Sequence, residues 1–198
     1  MNIDKNYYRT RSISDPAGYN NAGWVAVNRS PERKAWRAVC VHKLTGQEND
    51  RNHHVYVDLL SESGDFLVNP QERLAYSWKG QRPDERSQPI RLDKPAHEPA
   101  GNVPVFKGAE FEVWIDSQYP SDRVSNLTTD LPDEDVGNVR FHHSYYIIFR
   151  LVDSAQVVEP TVPDVDLSTG VNEIIRTLSG LRDTIDYYLD ELRAYQKA

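Results

Sequence analysis

The 198-residue sequence predicts a mainly β protein: a single β-sandwich, of jelly-roll or immunoglobulin-like topology, followed by a C-terminal coiled-coil α-helix. Three observations predict it. Across residues 24–153 the apolar side chains recur mostly at period two, in short segments broken by Gly, Pro, Asn and Asp. Beyond residue 170 they change to a three-four spacing that no strand produces. The two patterns are separated by a Pro- and acid-bearing stretch that favours extended chain. The organisation expected is a polar N-terminal arm over 1–23, a sandwich domain over 24–153, a linker over 154–170 and a helix over 171–198.

The first 23 residues are polar, with Tyr7, Tyr8, Arg9 and Arg11 ahead of the turn-forming run from Asp15 to Asn21. They read as an arm rather than a packed element, able to lie on a neighbouring subunit. Eight strands follow, over 24–28, 36–43, 54–60, 73–79, 90–92, 103–106, 111–116 and 140–151. The last is the clearest. Phe141, His143, Tyr145, Ile147, Phe149 and Leu151 share one face, which should line the core; Arg140, His142, Ser144, Tyr146, Ile148 and Arg150 share the other. Ser63-Gly64-Asp65 marks a turn. The segments 80–88 and 117–138 read as long polar loops, where a rigid sandwich usually holds its ligand.

In the terminal helix Val171, Ile174, Leu178, Leu181, Ile185, Tyr188, Leu192 and Tyr195 step 3-4-3-4-3-4-3 without a fault. Ile175 and Leu189 widen the apolar face, and two bulky tyrosines lie in the seam, which favours three strands or more, a trimer first. The alternative is a helix docked on its own sandwich, which a rod of about 40 Å would overhang. Gly180 and sparse flanking ion pairs mean that the sandwich should add contacts of its own.

Lys and Arg number 23 against 30 Asp and Glu, a formal charge of −7 with no basic cluster, so nucleic acid is not the expected partner. No apolar run approaches the ~18 residues of a membrane span, so no membrane insertion is expected. The first residues show no apolar signal region, and cytoplasmic synthesis without general secretory export is the expectation. The single cysteine, Cys40, sits between Val39 and Val41 and reads as a small buried hydrophobe.

Two adjacent histidine pairs, His53-His54 and His142-His143, invite a metal reading, but strand neighbours point apart, so a site would need one histidine from each of two strands. Asp130, Asp133, Glu134 and Asp135 offer oxygen ligands for calcium without the spacing of an EF-hand, and read as a solvated acidic loop. No carboxylate pair stands out for glycoside hydrolysis, and Ser144 beside His143 lacks a nucleophile turn. The expectation is therefore no enzyme, no catalytic residue, no metal and no cofactor. Aromatics are the more informative feature: four Trp and eleven Tyr against five Phe, residues suited to interfaces and to stacking on sugar rings. Trp114, between Glu112 and Asp116 on the polar face of its strand, is the leading candidate platform, with Tyr119 and Tyr146; a Trp114 covered by a loop is the alternative. Trp78, in step with Leu74 and Tyr76, reads as core.

The segments Trp78-Lys79-Gly80-Gln81-Arg82-Pro83-Asp84-Glu85, Leu92-Asp93-Lys94-Pro95, Glu98-Pro99, Asn102-Val103-Pro104, Val113-Trp114-Ile115 and His142-His143-Ser144-Tyr145-Tyr146 together resemble a β-sandwich module of bacteriophage and metagenomic proteins, found on cell-wall lysozymes or virion proteins. The resemblance covers about a third of the chain. It implies an accessory or virion role rather than hydrolysis, and carries over no catalytic residue. The function expected is that of a virion structural or attachment protein, a capsid decoration or fibre component contacting itself and other virion proteins, with glycans as the candidate ligands. A carbohydrate-binding module using Trp114, Tyr119 and Tyr146, and a metal-dependent jelly-roll enzyme, are the alternatives.

Overall fold

The structure, a computed structural model, describes residues 2–14, 18–85, 87–129 and 142–153. Among these residues the chain runs α1 (Lys5–Ser14), β1 (Tyr19–Asn20), β2 (Ala26–Asn28), β3 (Lys34–Lys43), α2 (Gly46–Asn49), β4 (His54–Leu60), β5 (Arg73–Trp78), β6 (Ile90–Arg91), β7 (Gly101–Pro104), β8 (Phe111–Asp116), β9 (Arg123–Leu127) and β10 (Tyr145–Asp153). The strands form two five-stranded sheets, ordered β1-β3-β10-β4-β7 and β2-β9-β8-β5-β6. One apolar core draws on both: Trp36, Val57, Ile147 and Phe149 from the first sheet, Leu74, Phe111, Val113, Ile115 and Val124 from the second. The protein is thus mainly β, with two sheets, as the alternation predicts.

The pairing departs from the expected topologies in one respect. Jelly rolls and immunoglobulin sandwiches are built of antiparallel sheets. Here the first sheet is mixed, β10 running antiparallel to β3 but parallel to β4, and β1 parallel to β3. A last strand inserted between two earlier ones takes whichever direction its entry dictates. Its register skips Val39, where β3 bulges.

The strand that contains Tyr145 corrects the one-faced reading. Tyr145, Ile147 and Phe149 enter the main core, but Tyr146 and Ile148, expected on the other face, are equally buried. They belong to a second apolar cluster with Tyr8, Cys40, Leu44, Tyr56 and Leu60 on the far side of the first sheet. A strand in the middle of a mixed sheet is covered on both faces and reads as a continuous apolar run.

The cover on that second face is the segment expected to be an arm, and this is the main correction. Asp4 caps α1 by accepting the Tyr7 N–H at 3.1 Å, and Tyr8 is buried against His42 and Tyr146. Ile3 and Tyr19 pack on the same cluster, and Lys5 reaches Asp58. A polar composition misleads here because the helix docks through one ring and several long polar side chains rather than through an apolar stripe. Residues 2–14 therefore belong with the sheets rather than apart from them.

The expected loop 117–138 is corrected in its first half, which contains β9. Val124 and Leu127 are both buried, three residues apart rather than two, because Asn126 adopts a left-handed φ of 63° that inserts a bulge. Asp130, Asp133, Glu134 and Asp135, together with the linker and the heptad residues Val171 to Tyr195, lie outside the described residues. The Ser63-Gly64-Asp65 turn forms, with Gly64 at φ 90°. Among the described residues no helix is long and apolar enough to cross a membrane.

If α1 seals the second cluster, Cys40 reports it. The thiol is fully buried and burial pushes its pKa up to about 12. Tyr8→Ala, which removes a buried aromatic at about 3 kcal/mol, should raise the rate of Cys40 alkylation roughly 100-fold through local opening. Tyr7→Ala, on the exposed side of the same helix, should leave the rate unchanged; equal rates in both variants would show that α1 is not the cover.

Candidate ligand-binding face

The three aromatic residues singled out by the sequence do not share a surface. Tyr146 is fully buried in the second cluster, its hydroxyl donating to Asp58 at 2.6 Å, so it cannot meet a ligand. Tyr119 packs partly on the main core with the Lys34 ammonium over its ring at 5.0 Å. Trp114 alone stands where alternation puts it, partly exposed on the outward face of the second sheet.

That face is the site. Ser77, Glu112, Trp114, Arg123 and Ser125 alternate with core residues and so point away from the core. The Arg123 guanidinium lies 4.0 Å from the Trp114 ring centroid while its Nη1 donates to Glu112 at 2.6 Å. Glu112 also accepts the Ser77 hydroxyl at 3.5 Å, at the edge of bonding range. Beside this ladder runs a groove of about 350 Å3, lined by residues 77–79 of β5 and its end, 110–112 of β8 and its start, and Ser125 and Asn126 of β9. Lys79 pairs with Glu110 at 2.7 Å. Four charges beside the groove thus close in two pairs, and beyond Trp114 the exposed Arg73 and Asp116 stand in register on the same face.

Indole hydrogen bonding separates the tryptophans. Trp24 donates to the Tyr145 hydroxyl at 3.2 Å and Trp36 to the Ser117 hydroxyl at 3.0 Å. Neither Trp78 nor Trp114 shows an indole hydrogen bond among the described residues, and the partly exposed Trp114 N–H can meet solvent or a ligand.

Arg123 and Asn126 were not candidates in the sequence, because they sit in the expected loop. The signal that could have found them is Asp122 immediately before. Its fully buried carboxylate accepts from Arg29 at 2.7 Å, Arg37 at 3.0 Å and the Ser30 and Ala38 N–H groups at 2.8 and 3.0 Å. A carboxylate held by four donors fixes the start of β9, and hence the place of Arg123 over Trp114. Two asparagines tie the strands of this sheet to their neighbours: Asn28 donates to Ser125 at 3.2 Å and Asn126 to the Trp24 carbonyl at 3.1 Å.

Two buried polar networks lie under α1 on the opposite side. Lys43 N–H donates to the Asn21 side-chain oxygen at 2.7 Å, which turns the Asn21 amide nitrogen toward His42 Nδ1 at 3.0 Å. Nδ1 is then the acceptor, and Nε2–H faces Glu48 at 2.9 Å, with the Tyr8 hydroxyl donating to the other Glu48 oxygen at 2.6 Å. Burial pushes the Glu48 carboxyl up, but His42, Tyr8 and the Thr45 N–H outweigh it and bring it down to about 2. Asp58 is raised by burial, against Lys5 at 3.0 Å and Tyr146. The Tyr8-His42-Glu48 set has the residue types of an acid-base relay, yet all its bonds are spent on holding the helix.

The histidines are brought together more closely than alternation allows. His53 precedes β4, and its ring, with Nδ1–H donating to the Val105 carbonyl at 2.7 Å, lies 5.2 Å from His54 and 5.7 Å from His142. Among the described residues no three His, Cys, Asp or Glu side chains are placed to hold a metal ion. Burial, with His53 and Lys94 nearby, lowers the His54 pKa to about 4. Its proton is therefore bound more tightly in the unfolded chain, and the neutral ring's stability, complete above pH ~6.5, is lost as pH falls toward 4. At ~1.4 kcal/mol per unit the full shift would be about 3 kcal/mol, and screening at a half-exposed ring reduces it to about 1 kcal/mol. His54→Gln should flatten the fall in urea-unfolding stability between pH 6.5 and 4; an unchanged slope would show that other groups carry it.

Comparison with protein-family models, curated proteins and solved structures finds no match to this chain.

Proposed function

We propose that the chain is a non-catalytic structural and attachment protein of the virion type, in which a two-sheet domain is displayed on a trimeric C-terminal coiled coil as a capsid decoration or fibre component. The observation that supports this reading is that the domain covers its own apolar surface. Sheet packing seals one face of β10 and α1 seals the other. Among the described residues the large apolar side chains left exposed are Tyr7, Val68 and Phe106, spread over α1, the 66–71 loop and the β7–β8 turn. Such single residues do not make an assembly surface. The heptad seam from Val171 to Tyr195 does, and it follows the domain at the end of the sequence.

In this reading the seam joins the subunits, other virion proteins hold the assembly, and the outward face of the second sheet meets the target. Weak contacts multiply when several copies are presented on one stem. Light scattering on the full-length chain should give a trimer mass. Ile185→Asp, which places an unpaired charge in the seam at a cost of several kcal/mol, should give a monomer with the thermal transition of the sheets unchanged. A full-length monomer would overturn the reading, and a trimer untouched by Ile185→Asp would move the contacts off the seam.

A further inference from the structure

We propose that the outward face of the second sheet, from Trp114 across Glu112 and Arg123 to Asn126, binds an uncharged pyranose ring of a surface polysaccharide. The inference rests on the attachment reading and names what is attached to.

Charge selects the ligand class first. Arg123 is paired with Glu112 at 2.6 Å and Lys79 with Glu110 at 2.7 Å, and Arg73 stands in register with Asp116, so the charges of the face balance in sign while donors and acceptors are many. A sulfated or phosphorylated polymer would meet two carboxylates, and a basic peptide two cations. An uncharged polyol meets neither penalty. Its neighbouring hydroxyls both donate and accept, and the Glu112 carboxylate, the remaining Arg123 N–H groups, Ser125 and Asn126 supply both halves of that exchange.

Stacking selects it further. The Arg123 guanidinium lies 4.0 Å from the Trp114 ring centroid, so the ring already serves as a contact surface, and the indole is still partly exposed. A pyranose offers the same pairing, with C–H groups toward the indole and hydroxyls at the rim, and the unpartnered Trp114 N–H can meet one of those hydroxyls. Arg123 then trades its ring contact for hydroxyl oxygens while keeping Glu112. The groove of about 350 Å3 is at the small end of ligand clefts, ~300–1,000 Å3, so it takes one or two rings. Single-site binding is weak, and the oligomer makes it useful.

The test is an array of immobilised neutral hexose and N-acetylhexosamine oligomers beside sulfated and sialylated ones, probed with the labelled full-length chain. Binding is expected on neutral glycans, falling at least tenfold in Trp114→Ala and in Arg123→Ala and retained in Trp114→Phe, with Val68→Ser, elsewhere on the surface, as the unaffected control. Preference for charged glycans, a blank array, or binding indifferent to Trp114→Ala would overturn the proposal. The mass of the same sample separates the two readings: a trimer with a blank array removes the sugar and leaves the assembly, whereas a monomer that binds neutral glycans does the reverse.

Discussion

The burial of β10 on both faces is the constraint on which the rest depends. Tyr145 through Phe149 are five successive side chains with essentially no solvent exposure, so a cover is needed on each side of the first sheet. The second sheet supplies one. The other must come from the N-terminal segment, because the strands on either side, β3 and β4, turn Cys40, Tyr56 and Leu60 toward the same side. Without α1 that face would be a contiguous apolar patch in water, the kind of surface that soluble monomers rarely keep.

How α1 is held is unusual for so short a helix. Its anchor is polar: Lys5 donates to the Glu98 carbonyl at 2.6 Å as well as pairing with Asp58, and Tyr8 completes the Glu48 carboxylate. Buried ion pairs add little net stability, since desolvation consumes most of the attraction. They do specify position, because any other seating leaves Asp58 or Glu48 buried without donors. Asp122 applies the same logic on the opposite edge, where two arginines and two backbone N–H groups fix the chain just before β9. Two buried carboxylates, Asp58 and Asp122, and the partly buried Glu48 thus orient elements whose apolar contacts alone would admit several placements.

Much of this was legible in the sequence, and the failures have physical causes. Strands β4 and β8 fall on the residues that alternation marks, since each has a turn at both ends and no bulge. β9 was missed because the left-handed Asn126 shifts Leu127 into phase with Val124 only after an extra residue, and a period of two cannot see a bulge. α1 was missed because a helix docked through lysine, tyrosine and arginine has the composition of a free arm. Tyr146 was misread for a related reason: on the nominally outward face of its strand it looked exposed, yet Tyr146 and Ile148 in alternation were themselves the sign of a second cover. Of the candidate site, Trp114 and Glu112 were readable, while Arg123 needed the tertiary fact that β9 pairs with β8.

These same packing facts decide which face can act. The outward side of the first sheet is occupied by α1, and its polar groups are consumed in holding that helix. The outward side of the second sheet carries no helix among the described residues, and apart from Ala75 the outward residues of β5 and β8 are polar or aromatic, Trp114 among them. A strand-built face holds its outward side chains in fixed positions. It suits recognition of an extended, hydroxyl-rich surface, where each contact is modest and geometry is supplied by rigid strands. Asp122 makes that geometry rigid where it matters: it anchors the residue next to Arg123, so the guanidinium over Trp114 is held by the chain's buried framework rather than by the mobility of a loop.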